Sequence, residues 1–160
     1  MKYLDTMVTF SEFPDEIALC INITNCPFHC SGCHSPELWK DIGKPLTQRS
    51  LERLISENNG ITCVGFMGGE PEIVNLLAQV VHKTGLKVGW YWGGKEIPKE
   101  IDLDNFDYIK IGPYIKELGG LDNPNTNQRF YAKGNCIHKM DANPNMLYDI
   151  TDKFWKHGED

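Results

Sequence analysis

Three cysteines at 26, 30 and 33, in the stretch NCPFHCSGCHSP, directly follow an apolar run, EIALCINI, at 16–23. The run reads as a buried strand, and the cysteines as the loop that leaves it. A structural metal site usually takes four protein ligands and a disulfide takes two, so three fits neither. In sheets built from alternating strands and helices, functional groups gather where strands end and loops begin. The fold must therefore put the end of this strand on a shared edge.

The rest of the chain supplies the alternation. SPELWKDIG (35–43) reads as a short helix, with Ser35 as N-cap, Pro36 at its first position and Gly43 past its end. TQRSLERLISENNG (47–60) reads as a second helix, with Leu51, Leu54 and Ile55 on one face and Gly60 as C-cap. ITCVGFM (61–67) is a strand that ends in GGEP, and PEIVNLLAQVVHKTG (71–85) has the apolar spacing of an amphipathic helix. LKVGWYW (86–92) and YIKIG (108–112) are further strands, with only a weak helical pattern between them. QRFYAK and CIHKM suggest a hairpin around GN, and MLYDITDKFWKH a strand entering a short helix. Such alternation predicts right-handed βαβ units, and the chain is too short for a closed eight-unit barrel of about 250 residues. The expected fold is α/β: an open partial (βα) barrel of mostly parallel strands, in a single domain over 1–160.

Net charge of −6 argues against a surface that tracks a nucleic-acid backbone. No apolar run approaches the roughly 20 residues of a membrane span, and MKYLDTMVTFSEFPDE lacks the pattern of a signal peptide. A cytoplasmic location is expected, where six cysteines are metal ligands, nucleophiles or packing groups rather than a disulfide framework. Cys20 and Cys63 lie in strand-like runs and read as core; Cys136, in a polar segment, is open. His82 reads as a cation near a helix end.

For the cysteine triplet itself, the options are zinc, with His29 or His34 as fourth ligand, an iron–sulfur cluster, or incidental thiols. A cubane held by three thiolates keeps one iron without a protein ligand, the mark of a reactive rather than a structural centre. GGE at 68–70 admits two readings: a ligand-binding backbone turn or an acidic helix N-cap.

CPFHCSGC resembles the C-x3-C-x2-C signature of the radical S-adenosylmethionine enzymes, and GGEP their second motif. FDYIKIGPYIKELGGL and NTNQRFY are similar to downstream signatures of one branch, the activating proteins of anaerobic ribonucleoside-triphosphate reductase. The similarity runs from about Ile17 to Tyr131 and implies a shortened radical S-adenosylmethionine core. It implies that Cys26, Cys30 and Cys33 are the catalytic and metal-binding residues, holding a 4Fe-4S cluster whose fourth iron takes S-adenosylmethionine. Gly68, Gly69 and Glu70 would bind the methionyl end, and Phe28 and His34 would flank the cluster as cofactor-binding residues. Tyr91 would border the adenosine, and Lys110 would reach ribose or carboxylate if it points inward. Trp92 stands where that family usually has threonine, and Asn127, Gln128 and Arg129 match the branch without assignable roles.

The implied reaction forms a glycyl radical on the large subunit of anaerobic ribonucleotide reductase, with a flavodoxin- or ferredoxin-like electron donor as second partner. Two alternatives stand beside it. Another radical enzyme, of the pyruvate formate-lyase-activating or small-molecule kind, would share the cysteines and GGE. A non-enzymatic iron–sulfur or zinc protein would leave GGE without a use.

Overall fold

The structure, a computed structural model, describes residues 1–155. Strand β1 (Lys2–Thr9) turns back through residues 10–17 into β2 (Ala18–Ile23), whose side chains are almost all buried. The cysteine loop follows, then a 3-10 turn at Pro36–Trp39 and the short β3 (Lys44–Pro45). Helix α1 (Gln48–Ser56) starts at Thr47, whose hydroxyl accepts from Ser50 N at 3.2 Å while Ser50 Oγ accepts from Thr47 N at 2.7 Å. This reciprocal pairing satisfies two otherwise orphaned donors. Strand β4 (Cys63–Met67) leads into α2 (Pro71–Lys83), then come β5 (Lys87–Tyr91), β6 (Tyr108–Ile111), β7 (Arg129–Lys133) and β8 (Leu147–Asp149). In α2 the buried Val74, Leu77, Ala78 and Val81 repeat at helical spacing and face the sheet. Among the described residues no helix is long and apolar enough to cross a membrane.

The strands form one open sheet in the order β3-β1-β2-β4-β5-β6-β7-β8. Only the centre is parallel: β2 with β4, β4 with β5, and β5 with β6. Both flanks are antiparallel, so the expected mostly parallel partial barrel is corrected to a mixed α/β sheet, while its openness is as expected. The physical reason lies in the connections. A parallel return needs a long crossover, supplied by the segments holding α1 and α2 and, between β5 and β6, by residues 92–107 with a 3-10 turn at Leu103–Asn105. Residues 10–17 are too few for one, and residues 112–128 form an irregular loop that returns the chain in the opposite sense.

Smaller expectations change as well. The 35–43 helix shrinks to the 3-10 turn, with no cap bond from the Ser35 side chain. Helix α1 stops at Ser56 with Glu57 as C-cap, short of Gly60. CIHKM forms no strand; β8 is the partner of β7. A Cβ on Gly134 would lie 1.9 Å from the Asn143 carbonyl oxygen, so this glycine serves close backbone approach rather than a tight hairpin. In MLYDITDKFWKH the strand and a 3-10 turn at Thr151–Phe154 are present, while Lys156 and His157 lie outside the described residues.

Alternation along the central strands gives the sheet two packed faces. Leu19, Ile21, Val64, Phe66, Val88, Trp90 and Ile109 form the core beneath the helices. The other face carries Cys20, Cys63, Tyr108, Phe130 and Ala132, covered by Phe13 from the β1–β2 connection. Gly65 and Gly89 are register partners in β4 and β5, and together they make a pit for the Phe13 ring. A Cβ on Gly65 would come within 2.4 Å of that ring, and one on Gly89 within 2.2 Å. The ring is fully buried.

Two anchors hold the segment carrying it. Buried Glu16 pairs with Lys87 Nζ at 2.8 Å and accepts from Tyr108 Oη at 2.9 Å. At the other end Tyr91 Oη donates to Glu12 Oε2 at 2.8 Å. Truncation of Phe13 to alanine is expected to cost about 3–5 kcal/mol, and Gly89→Ala about 1–3 kcal/mol by overpacking. Because the smaller side chain leaves room for the added methyl, the double variant should lose clearly less than the sum of the singles. Urea unfolding of the four proteins checks this, and strict additivity would contradict the pit.

Candidate metal centre

All four parallel strands release their chains at the same edge of the sheet. From β2 comes the cysteine loop, from β4 Gly68–Glu70, from β5 Trp92–Gly94, and from β6 Gly112–Tyr114. A cavity of about 710 Å3 opens there, lined among others by Cys26, Cys33, Gly68, Gly69, Tyr91 and Lys110. Its size falls within the roughly 300–1,000 Å3 of small-molecule sites. Phe28, His34 and Trp92 also line it.

The cysteine loop is bent by left-handed residues at Asn25 (φ 61°), His29 (φ 44°) and Gly32 (φ 76°). Asn25 N donates to Lys40 O and Cys26 N to Leu38 O, both at 3.0 Å, so the loop's first limb is tied to the 3-10 turn and the residue just after it. A stack of His29 on Trp39, 4.8 Å between ring centroids, adds to that tie. Phe28 meets Trp92 edge to face at 4.9 Å, and His34 meets Tyr114 edge to face at 5.4 Å. Cys30, unlike its two neighbours, does not line the cavity.

Gly68 and Gly69 have φ of 108° and 102°, a pair of conformations that side chains resist. Gly68 is pinned: its N–H donates to Tyr91 O at 3.1 Å and its carbonyl accepts from Trp90 Nε1 at 2.9 Å. A Cβ on Gly69 would meet Val74 Cγ2 at 2.7 Å. Glu70 is the exposed N-cap of α2, makes no side-chain cap bond, and faces a neighbouring cavity of about 460 Å3 rather than the main one. Gly69 and Trp92 border both cavities.

The floor is a register row. Met67, Tyr91 and Lys110 are successive partners across β4, β5 and β6, so they share the face away from the helices. This decides the direction of Lys110, which points inward, with Nζ 4.8 Å from the Tyr91 ring centroid. Burial lowers the Lys110 pKa, and the charges of Glu12, Cys30 and Cys33 oppose that shift without cancelling it. Burial, and then the Glu12 charge and hydrogen bond, push the Tyr91 phenol well above the usual range. It therefore stays a donor to Glu12.

Sequence reasoning missed Glu12 and Met67 as cavity residues, and it left Gln128 and the GPYI segment holding Tyr114 without a role, although both line the cavity. Met67 was readable as the last residue before GGEP; Glu12 was not, because only the hairpin from β1 brings it to the edge. Gln128 is buried, and its Nε2 donates to Gly112 O at 3.4 Å. Asn127 Nδ2 donates to Pro113 O at 3.1 Å, while Arg129 Nη1 lies 3.7 Å from Asp149 Oδ2, on the side of β8.

The donor set fits an iron–sulfur cluster. Cys26, Cys30 and Cys33 are free and half-buried, and Cys33 Sγ accepts from Ser35 N at 3.4 Å. Such N–H···S bonds are among the contacts that stabilise cluster thiolates. Among the described residues, no three His, Cys, Asp or Glu side chains are already gathered closely enough to hold a metal. Thiolate ligands are deprotonated and drawn together by the metal they bind. Residues 17–112, more than half of the chain, match the family model described as a 4Fe-4S single cluster domain. That window opens just before β2 and closes just after β6, which is the parallel core. No curated protein and no solved structure matches the chain significantly.

The remaining cysteines behave as packing groups. Burial, then the Glu12 charge, pushes the Cys20 thiol up to about 12; burial, then Glu16, pushes Cys63 higher. Burial also raises Cys136, against a hydrogen bond from Tyr108 and the charge of Lys87. Iodoacetamide at about pH 8 should therefore modify Cys26, Cys30 and Cys33 of the metal-free native chain and spare the other three. Raising the pH to about 10 should still leave Cys20 and Cys63 unmodified, since a raised thiol pKa keeps the inert form at higher pH. Peptide mapping reads the result, and early labelling of Cys63 would contradict it.

Proposed function

The chain belongs to the 4Fe-4S single cluster domain family, and from that premise we propose that it is a radical S-adenosylmethionine activase. It cleaves S-adenosylmethionine reductively and generates a glycyl radical on anaerobic ribonucleoside-triphosphate reductase. The observation that carries this reading is the shared edge: cysteine loop, paired glycines, Tyr91 and Lys110 surround one cavity beside the iron-binding thiols. An electron carrier needs the cluster alone and has no use for a 710 Å3 recess next to it.

Cys26, Cys30 and Cys33 hold the cluster, which when bound supplies the electron for cleavage. Every other task falls to the chain. The Gly68–Gly69 turn offers backbone groups at close range, because no Cβ stands in the way. Phe28 and Trp92 give the cavity an apolar wall that excludes water from a reactive product. Lys110 offers an ammonium to the cosubstrate's carboxylate or ribose, and Glu12, fixed by Tyr91, offers a carboxylate on the same floor. Glu70 reaches the methionyl ammonium only from the adjoining cavity beyond Gly69.

The open sheet supports a macromolecular substrate, since a closed barrel would not easily admit a loop from another protein. A single folded unit in the cytoplasm, served by a flavodoxin- or ferredoxin-like donor, completes the proposal. The test is anaerobic. Reconstituted protein, reductant and S-adenosylmethionine should yield 5′-deoxyadenosine, and addition of the reductase large subunit should give a glycyl doublet by electron paramagnetic resonance. Cys30→Ala should abolish both. A doublet only on a different glycyl-radical enzyme would move the protein to another branch, and no cleavage at all would end the activase reading.

A further inference from the structure

The GPYI and NQR segments are still without a task, and their contacts give them one. Gly112 has φ of 107°, and its Cβ position lies 3.1 Å from Gln128 Cα, so β6 and the start of β7 close tightly on each other. Gln128 donates to Gly112 O and Asn127 to Pro113 O, which locks the two ends of the 112–128 loop. Inside the loop, Gly119 N donates to Ile115 O at 2.9 Å and Thr126 Oγ1 to Gly119 O at 3.2 Å. The loop is thus preformed. It forms part of the cavity wall, with Tyr114, Leu121 and Gln128 among the lining residues.

From this wall Tyr114 reaches across to the cysteines' own loop. Its Cε1 lies 3.3 Å from the Cβ position of Gly32, the residue between Cys30 and Cys33 that sits in the left-handed region. Its ring also meets His34, which directly follows Cys33, edge to face. The Lys116 stem covers the same glycine at 3.7 Å. The contacts to Gly32 and His34 are made by the ring itself. One aromatic side chain therefore touches the loop on both sides of Cys33.

We infer that Tyr114 is a positioning residue for the cysteine loop, held in place by the 112–128 latch, and that its ring screens the metal-binding corner from solvent. The inference rests on the cysteines holding a 4Fe-4S cluster, not on what that cluster then does. Solvent exposure is one of the levers on an iron–sulfur potential, and contacts just outside the ligands typically change metal affinity by roughly 10–100-fold.

The test compares wild type, Tyr114→Phe, Tyr114→Ala and Gly32→Ala, each reconstituted anaerobically with iron and sulfide. Cluster loss to a chelator and the midpoint potential are both measured without S-adenosylmethionine. Tyr114→Phe should match wild type on both. Tyr114→Ala should lose its cluster roughly 10–100-fold faster and shift its potential to a more positive value, because water better solvates the reduced, more negative cluster. Gly32→Ala attacks the same contact from an exposed loop position, away from the core, and should also speed cluster loss. Wild-type retention and potential in Tyr114→Ala would overturn the inference. So would a Tyr114→Phe protein as impaired as the alanine variant, since the hydroxyl would then carry the effect. A wild-type chain that keeps its cluster but fails to cleave S-adenosylmethionine would sink the activase reading, while the role of Tyr114 would still be judged on these two readouts.

Discussion

A phenyl ring set into two glycines supports the cavity floor. Gly65 and Gly89 lie side by side in the parallel strands, and the Phe13 ring fills the dent they leave. The ring closes the face of the sheet that lacks helices, which would otherwise expose Cys20, Cys63 and Phe130. Burial of a phenylalanine contributes about 1.5–3 kcal/mol, and here it also fixes where its neighbours go. Glu16, three residues on, is held by Lys87 and Tyr108 at the strands' N-terminal ends. Glu12, one residue back, is delivered to Tyr91 at their C-terminal ends. The Glu16–Lys87 contact is partly exposed, so its own contribution is modest, and the apolar plug carries more of the stability.

With that floor rigid, the upper edge can be built from loops. Each loop leaving a parallel strand contributes a different kind of group: thiols from the first, bare backbone from the second, aromatic wall from the third, and the latch from the fourth. Met67, Tyr91 and Lys110 beneath them are held in a single row by strand register, so the polar groups of the floor do not depend on loop conformation. This division suits a site that places a cosubstrate against a metal centre. Precision comes from the strands, and access from the loops.

Much of this was legible in the chain itself. The cysteine spacing and GGE stand out because each directly follows an apolar run, and WYW because it ends one, and a run's end marks the sheet edge. Helix α2 was readable from its repeat of buried positions. Strand β1 was not, because Tyr3 is its one fully buried side chain, leaving no apolar alternation to detect. That omission concealed the antiparallel hairpin and with it Glu12. The direction of Lys110 depends on register with Tyr91, and the use of Asn127 and Gln128 on the close approach of two segments more than ten residues apart. Spacing along one strand carries neither kind of information.

The central claim is that three thiolates hold a cluster and leave one metal position to the cosubstrate. Mössbauer spectroscopy of the chain reconstituted with 57Fe, recorded before and after addition of S-adenosylmethionine, tests it most directly. The account predicts that the signal of one iron changes on addition while those of the others keep their parameters. Spectra unaltered by S-adenosylmethionine, or a chain that retains zinc in place of iron, would contradict it.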